Sequence, residues 1–150
     1  MAAGFNDIDL TGARGCAAFN LRKTARVVTQ AYDAALKPSG LRSTQFAILV
    51  AIARVEAPSV GALAETTLMD ATTMTRNLKL LKDEGLIEVS PRGAGREKLV
   101  RLSKAGERAL ARAVPMWRAA QARFVEAFGS TKWSKMRAEL EEVASLAADV

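Results

Sequence analysis

Thr72, Thr73, Thr75, Arg76 and Lys79 crowd into one short polar stretch of the chain. On a 3.6-residue wheel Thr72, Arg76, Lys79 and Asp83 share one side, with Thr73 on its flank, while Ala71, Met74, Leu78 and Leu81 form the inner side. Threonine hydroxyls can meet a base edge or a phosphate, and arginine can bond bidentately to guanine. The helix N-terminus adds amide donors suited to phosphate. A solvated polar face carries the same residue types, so the weight of the reading falls on what surrounds it.

Two short helical patterns separated by a tight break are followed by two β-prone runs flanking a basic turn. Ser59 caps the first helix, with Val60, Leu63 and Ala64 inward. After the second helix, Gly85 and Leu86 lead into a strand from Ile87 to Ser90, and Lys98 to Leu102 forms the return strand. The tip between them carries Arg92 and Arg96. Arginine at such a tip can enter a narrow minor groove, whereas an ordinary hairpin would leave the charge in solvent. This order is that of a helix-turn-helix with a β-wing, which puts a helix into the DNA major groove.

The flanking segments must position that module. Met1 to Gly15 reads as a loosely held arm. From Cys16 to Ala35, the residues Ala18, Leu21, Ala25, Val28, Tyr32 and Ala35 recur at spacings of three and four, which predicts a helix ended at Lys37-Pro38-Ser39-Gly40. Ser43 is expected to cap a helix from Thr44 to Arg54, with Phe46, Ile48, Leu49 and Ile52 buried, and Glu56-Ala57-Pro58 is the next break. After the wing, Ser103 caps a helix striped by Leu110, Ala113, Trp117, Ala120, Phe124 and Ala127. Beyond Gly129-Ser130, a last helix repeats the pattern with Met136, Leu140, Val143, Ala147 and Val150. One stripe alone reads as intramolecular core. Three stripes at the two ends of the chain are better explained by terminal helices interlocking with a second subunit.

Composition narrows the function. The chain has 150 residues and a formal net charge of +6, which fits one domain with a polyanionic partner. The positive charge gathers at and after the wing, in Arg92, Arg96, Lys98, Arg101, Lys104, Arg108 and Arg112. Histidine is absent, which removes the usual metal ligand and general base, and the single Cys16 excludes an intramolecular disulfide. No metal, no cofactor and no enzymatic activity are expected. No apolar run approaches the roughly 18–20 residues that span a bilayer, and no signal-peptide pattern opens the chain, so the expected location is the cytoplasm, without membrane partners.

The residues also resemble the MarR-type winged-helix transcription regulators. The resemblance runs from CAAFNLRKTARVVTQAYDAAL through LRSTQFAIL to the terminal helix, and is most specific in LAETTLMDATTMTRNLKLLKDEGLIEV and KLVRLSKAG, where such families close with L-T-x-x-G. It implies a mainly α fold with a small β-wing: four helices, the wing and two further helices, dimerising through the terminal helices. The expected organisation is a single domain over 1–150, with a flexible arm at 1–15, dimerisation helices at 16–36 and 103–150, and a DNA-binding lobe at 43–102. The function implied is a ligand-responsive repressor that binds a palindromic operator in double-stranded DNA as a homodimer. The candidate DNA-binding residues are Ser43, Ser59, Asp70, Thr72, Thr73, Thr75, Arg76, Lys79, Arg92 and Arg96. For a small aromatic or phenolic effector, the candidates are Phe19, Arg22, Tyr32, Phe46 and Trp117, with Arg22 as a carboxylate anchor.

Three departures from the family pattern stand out. The wing's usual Asp-x-Arg is Ala94-Gly95-Arg96 here, without the bracing carboxylate. Leu68 occupies a turn position often held by glycine, and Leu80 one often polar. Cys16 is similar to the cysteine of the hydroperoxide-sensing branch, but that alignment places the expected cysteine at Ala18 and puts Phe46 where a tyrosine is common. A Cys16-based redox regulator and a winged-helix protein-interaction module are therefore the alternatives to a ligand-responsive repressor.

Overall fold

The computed structural model describes residues 9–90 and 97–148. Its elements are α1 (Ala17–Leu36), α2 (Ser43–Arg54), α3 (Val60–Thr67), α4 (Ala71–Asp83), β1 (Ile87–Val89), β2 (Val100–Leu102), α5 (Lys104–Phe128) and α6 (Ser130–Ala148). This is the mainly helical, winged arrangement that the sequence predicts, with both strands shorter than expected. The strands pair antiparallel, with Ile87 opposite Leu102, Glu88 opposite Arg101 and Val89 opposite Val100. A third edge comes from the chain entering α3. Ser59 bridges Leu99, and the Val100 N–H donates to the Pro58 carbonyl at 3.0 Å. The wing is thus fastened to the start of α3 as well as to the end of α4.

One core holds α2 to α5 and the strands together. Leu36, Ile48, Leu49, Leu63, Met74, Leu81 and Val100 are its fully buried large side chains. Burying each is worth roughly 1.5–3 kcal/mol, enough to override the weak propensity of helices as short as α3. The ends of α4 are fixed locally. Asp70 caps its start by accepting from the Thr73 N–H at 2.8 Å. Gly85, at φ 71, closes its end, with the Leu86 N–H returning to the Leu81 carbonyl at 2.9 Å.

Several expectations change. Ser43 is the first residue of α2, and Arg42 occupies the N-cap without capping through its side chain. The cap comes from another helix: the Asp33 carboxylate on α1 accepts from the Ser43 N–H at 2.7 Å and from its hydroxyl at 2.6 Å. These bonds, the hydroxyl's first, hold the Asp33 carboxyl below its ordinary pKa. Ala71 is exposed, because it opens the first turn of α4 ahead of the packed face. Part of the arm is structured too. Residues 13–15 form a 3₁₀ turn, and the Asn20 side-chain amide donates to the Arg14 carbonyl at 2.9 Å.

The terminal helices are only partly covered. Val28, Tyr32 and Ala35 of the first stripe are half-buried, whereas Ala18, Leu21 and Ala25 are exposed. Phe19 and Val27 stand 61% and 62% exposed on α1, and Leu140, Val143 and Leu146 are exposed on α6. Where α1 is covered, it is tied down: the Tyr32 hydroxyl donates to Gln121 Oε1 of α5 at 2.5 Å. Among the described residues no helix is long and apolar enough to cross a membrane.

Gly106, near the start of α5, has no room for a side chain, since an added Cβ would lie 2.0 Å from the Leu86 carbonyl oxygen. Gly106→Ala is expected to destabilise the fold by about 3 kcal/mol, read as a lower denaturation midpoint in urea. Asp33→Asn should cost about 1–2 kcal/mol at neutral pH. Because the folded carboxyl titrates below the ordinary value of 3.8, its contribution is complete above that value and is lost as the pH falls through the folded pKa. The difference between wild type and Asp33→Asn should therefore be flat from about pH 5 to 7 and shrink below about pH 4.

Candidate nucleic-acid interface

The polar side of α4 forms the centre of the candidate site. With Met74, Leu78 and Leu81 buried, Thr72, Thr75, Arg76 and Lys79 are left exposed and Thr73 half-exposed on the flank. Their hydrogen bonds divide them. Thr73 donates its hydroxyl to Asp70 Oδ2 at 2.5 Å, and Thr75 donates to the Ala71 carbonyl at 2.7 Å. Lys79 pairs with Asp83 across one helical turn. Thr72 and Arg76 make no side-chain hydrogen bond or ion pair with any described residue. Asp70 is held below its ordinary pKa by the Thr73 hydroxyl and then by the Thr73 amide, so it stays an anion and caps the helix.

Ser59 accepts from the Ala62 N–H at 3.2 Å, as expected of an N-cap. It also lines a cleft of about 480 Å³ between α4 and the wing, shared with Thr75, Lys79, Lys82 and Lys98. Lys82 and Lys98 were not among the sequence candidates. Lys82 follows Lys79 by three positions and so shares its side of the helix, which the wheel could have shown; Lys98 is placed there by strand pairing, which the sequence leaves open. A second shallow surface joins Thr72, Thr75, Arg76 and Lys79. Ser43 stands apart from both, since its hydroxyl is committed to Asp33. Arg92 and Arg96 lie outside the described residues.

The effector candidates do not all converge within the chain. Phe46 and Trp117 stack with ring centroids 5.7 Å apart, and Tyr32 is held to α5 nearby in the fold. Burial raises the Tyr32 pKa, so its hydroxyl stays protonated and a donor. Phe19 sits thirteen residues before Tyr32 on the same helix, roughly 20 Å away at 1.5 Å per residue. Arg22 is likewise on the exposed half of α1, and Cys16 is exposed at its start.

Residues 39–97 match the family model described as MarR family. The whole fold is similar to the transcriptional regulator MosR of M. tuberculosis, solved in complex with DNA. That protein is 36% identical, with 89% of this chain and 97% of that chain covered, and the TM-score is 0.82. A MarR-family transcriptional regulator from Rhodococcus sp. RHA1 is 26% identical, covering 91% of this chain and 96% of that one, with a TM-score of 0.73. CouR from Rhodococcus jostii RHA1, solved bound to p-coumaroyl-CoA, is 26% identical over 85% of this chain and 90% of that one, with a TM-score of 0.71. Comparison with curated proteins gave no match.

Between α3 and α4 the chain turns on Leu68, which takes the left-handed conformation at φ 52 and leaves its side chain 80% exposed. It fills the place of a C-terminal glycine, with the Met69 N–H returning to the Ala64 carbonyl at 3.0 Å. A side chain there strains the backbone and packs on little. Leu68→Gly is expected to stabilise the fold by about 0.5–1 kcal/mol after the added backbone entropy of the unfolded chain, measured as a rise in melting temperature.

Proposed function

This chain belongs to the MarR family and is a DNA-binding transcriptional regulator rather than an enzyme, and from that premise we propose that it is a homodimeric, effector-responsive repressor of a palindromic operator. The observation that carries the DNA-reading part is the division of labour on α4. Thr73 and Thr75 bond within the helix, and Thr72 and Arg76 stand ready on the face opposite the core. In this reading, Arg76 makes the base-edge contact, Thr72, Thr75 and Lys79 meet base edges or phosphates, and Ser59 presents the start of α3 to the backbone. Thr73 and Asp70 hold the first turn of α4 at the DNA surface. Ser43 is the weakest member of this set, because its hydroxyl already bonds Asp33. Arg92 and Arg96 belong to the proposal on sequence grounds, as wing contacts in the minor groove.

The uncovered apolar residues of α1 and α6 support the dimer. Phe19, Val27, Leu140, Val143 and Leu146 give both terminal helices apolar surface that the single chain leaves in water. A second copy would bury them and set two α4 helices on successive major grooves, which matches a palindromic site. The effector part rests on CouR, which was solved with p-coumaroyl-CoA bound. An aromatic acid or its thioester is the class of ligand to test here, with Tyr32, Phe46 and Trp117 as its aromatic wall.

Operator fragments selected from genomic DNA give the decisive test. The wild type should bind them tightly, with affinity falling steeply as salt rises, and should sediment at twice the 16.1 kDa chain mass. Arg76→Ala should lose roughly 10- to 100-fold of the preference for operator over random duplex, the cost of about 1–3 kcal/mol of lost bidentate readout. A wild type that shows no preference and no salt dependence would overturn the reading.

A further inference from the structure

We infer that Leu80 on α4 determines sequence preference by packing against the C5 methyl group of a thymine in the major groove. The inference rests on the reading of α4 as the major-groove helix. Leu80 is 51% exposed and takes no part in the core. Among the described residues it is the one large apolar side chain of α3 or α4 that stands exposed. The exposed apolar residues of α1 and α6 gain cover from a second copy in the proposed dimer, whereas Leu80 belongs to the proposed reading helix. At roughly 100° and 1.5 Å per residue, it lies about 40° round the axis from Arg76 and about 6 Å further along it. A helix placed so that Arg76 reaches a base edge therefore carries Leu80 into the same groove.

The hydrogen bonds of this flank single Leu80 out. Thr73, Asn77, Leu80 and Glu84 follow one another at spacings of four, three and four, and so share one side of α4. Thr73 donates its hydroxyl to Asp70, and Asn77 donates its amide to the Thr73 carbonyl at 2.9 Å. Glu84 accepts from Gln45 Nε2 of α2 at 2.9 Å. Each polar member of the stripe thus has a partner within the protein, and its large apolar member has none. The opposite flank carries Thr75, Lys79 and Lys82 toward the wing. The outer surface of α4 is therefore cationic on the wing side, whereas its α2 side offers Leu80. In the major groove, the apolar group set among the hydrogen-bonding base edges is the thymine methyl. Helix propensity alone is served better by alanine, which leaves no such surface in water.

The test uses the full chain and the selected operator, with each thymine replaced in turn by deoxyuridine, which lacks only the methyl. At one thymine of each half-site the wild type should lose about four-fold in affinity, the equivalent of about 0.8 kcal/mol for one buried methyl. Leu80→Ala should bind the unsubstituted operator at least about four-fold more weakly and should no longer distinguish uracil from thymine there, so that the two changes couple. Its salt slope should match that of the wild type, since no phosphate contact is lost. The site is exposed and alanine is the strongest helix former, so an unchanged melting temperature is the folding control. A wild type indifferent to uracil at every thymine overturns the assignment. So does a Leu80→Ala chain that responds to uracil as the wild type does, flattens the salt slope, or sediments at the mass of a single chain. If any of these occurs while Arg76→Ala still relaxes operator preference, the reading of α4 stands and only the role of Leu80 falls. A wild type without operator preference takes down both.

Discussion

The start of α5 and the turn after α4 meet backbone to backbone, and the geometry of the winged lobe depends on that contact. The Leu86 carbonyl accepts from the Ser103 N–H at 3.1 Å and faces the bare Cα of Gly106. Ser103 works in both directions, donating its hydroxyl to the Gly85 carbonyl at 2.6 Å and accepting from the Gly106 N–H at 3.0 Å. One serine thereby caps α5 and ties it to the turn that ends α4. With the glycine allowing close approach, α4, β1 and α5 leave a single junction. The tilt of α4, and so the direction in which Thr72 and Arg76 point, is inherited from α5.

A second constraint links this lobe to α1. Arg42 offers no side-chain cap to α2, and the Asp33 carboxylate supplies one from ten residues earlier. The helix begins only where α1 allows it to begin. The same stretch of α1 is held to α5 through Tyr32 and Gln121. Its other half presents Phe19 and Val27 to solvent. So α1 is joined to the winged lobe at its C-terminal end and uncovered at the other, which is the arrangement the proposed dimer would use.

How much of this the sequence reveals depends on whether a feature is local. The caps at Ser59 and Ser103 and the Met74–Leu78–Leu81 stripe follow from spacing, because one helical turn contains the whole interaction. The cap at Ser43 misleads for the opposite reason: the acceptor for its N–H is a distant carboxylate that no local pattern reveals. Lys98 reaches the α4 cleft through strand register and the Ser59–Leu99 bridge, again non-local. Of the five effector candidates, Tyr32, Phe46 and Trp117 come near one another, while Phe19 and Arg22 lie on the exposed half of α1. Phe19 and Tyr32 share α1 and are still roughly 20 Å apart. Leu68 shows a third case, in which tertiary packing imposes a left-handed turn on a residue that disfavours it.

The face of α4 follows a physical logic of preparation. A threonine that donates its hydroxyl to Asp70 or to the Ala71 carbonyl has lost its rotamer freedom before any DNA arrives. Its oxygen still has a lone pair to offer, so the bond fixes direction without using up the group. Lys79 is restrained more loosely. Its pairing with Asp83 is exposed, and such pairs are worth about 0–1 kcal/mol, so a phosphate can displace the carboxylate at little cost. Among the described residues Arg76 has no hydrogen-bond or ion-pair partner, and in the proposed reading this favours discrimination. A guanidinium already paired would have to be freed on every sequence alike, whereas an unpaired one gains its full hydrogen bonding only opposite the right base. The buried stripe fixes where the helix lies, the bonded threonines fix its edge, and in the proposed reading Arg76 carries the choice of sequence.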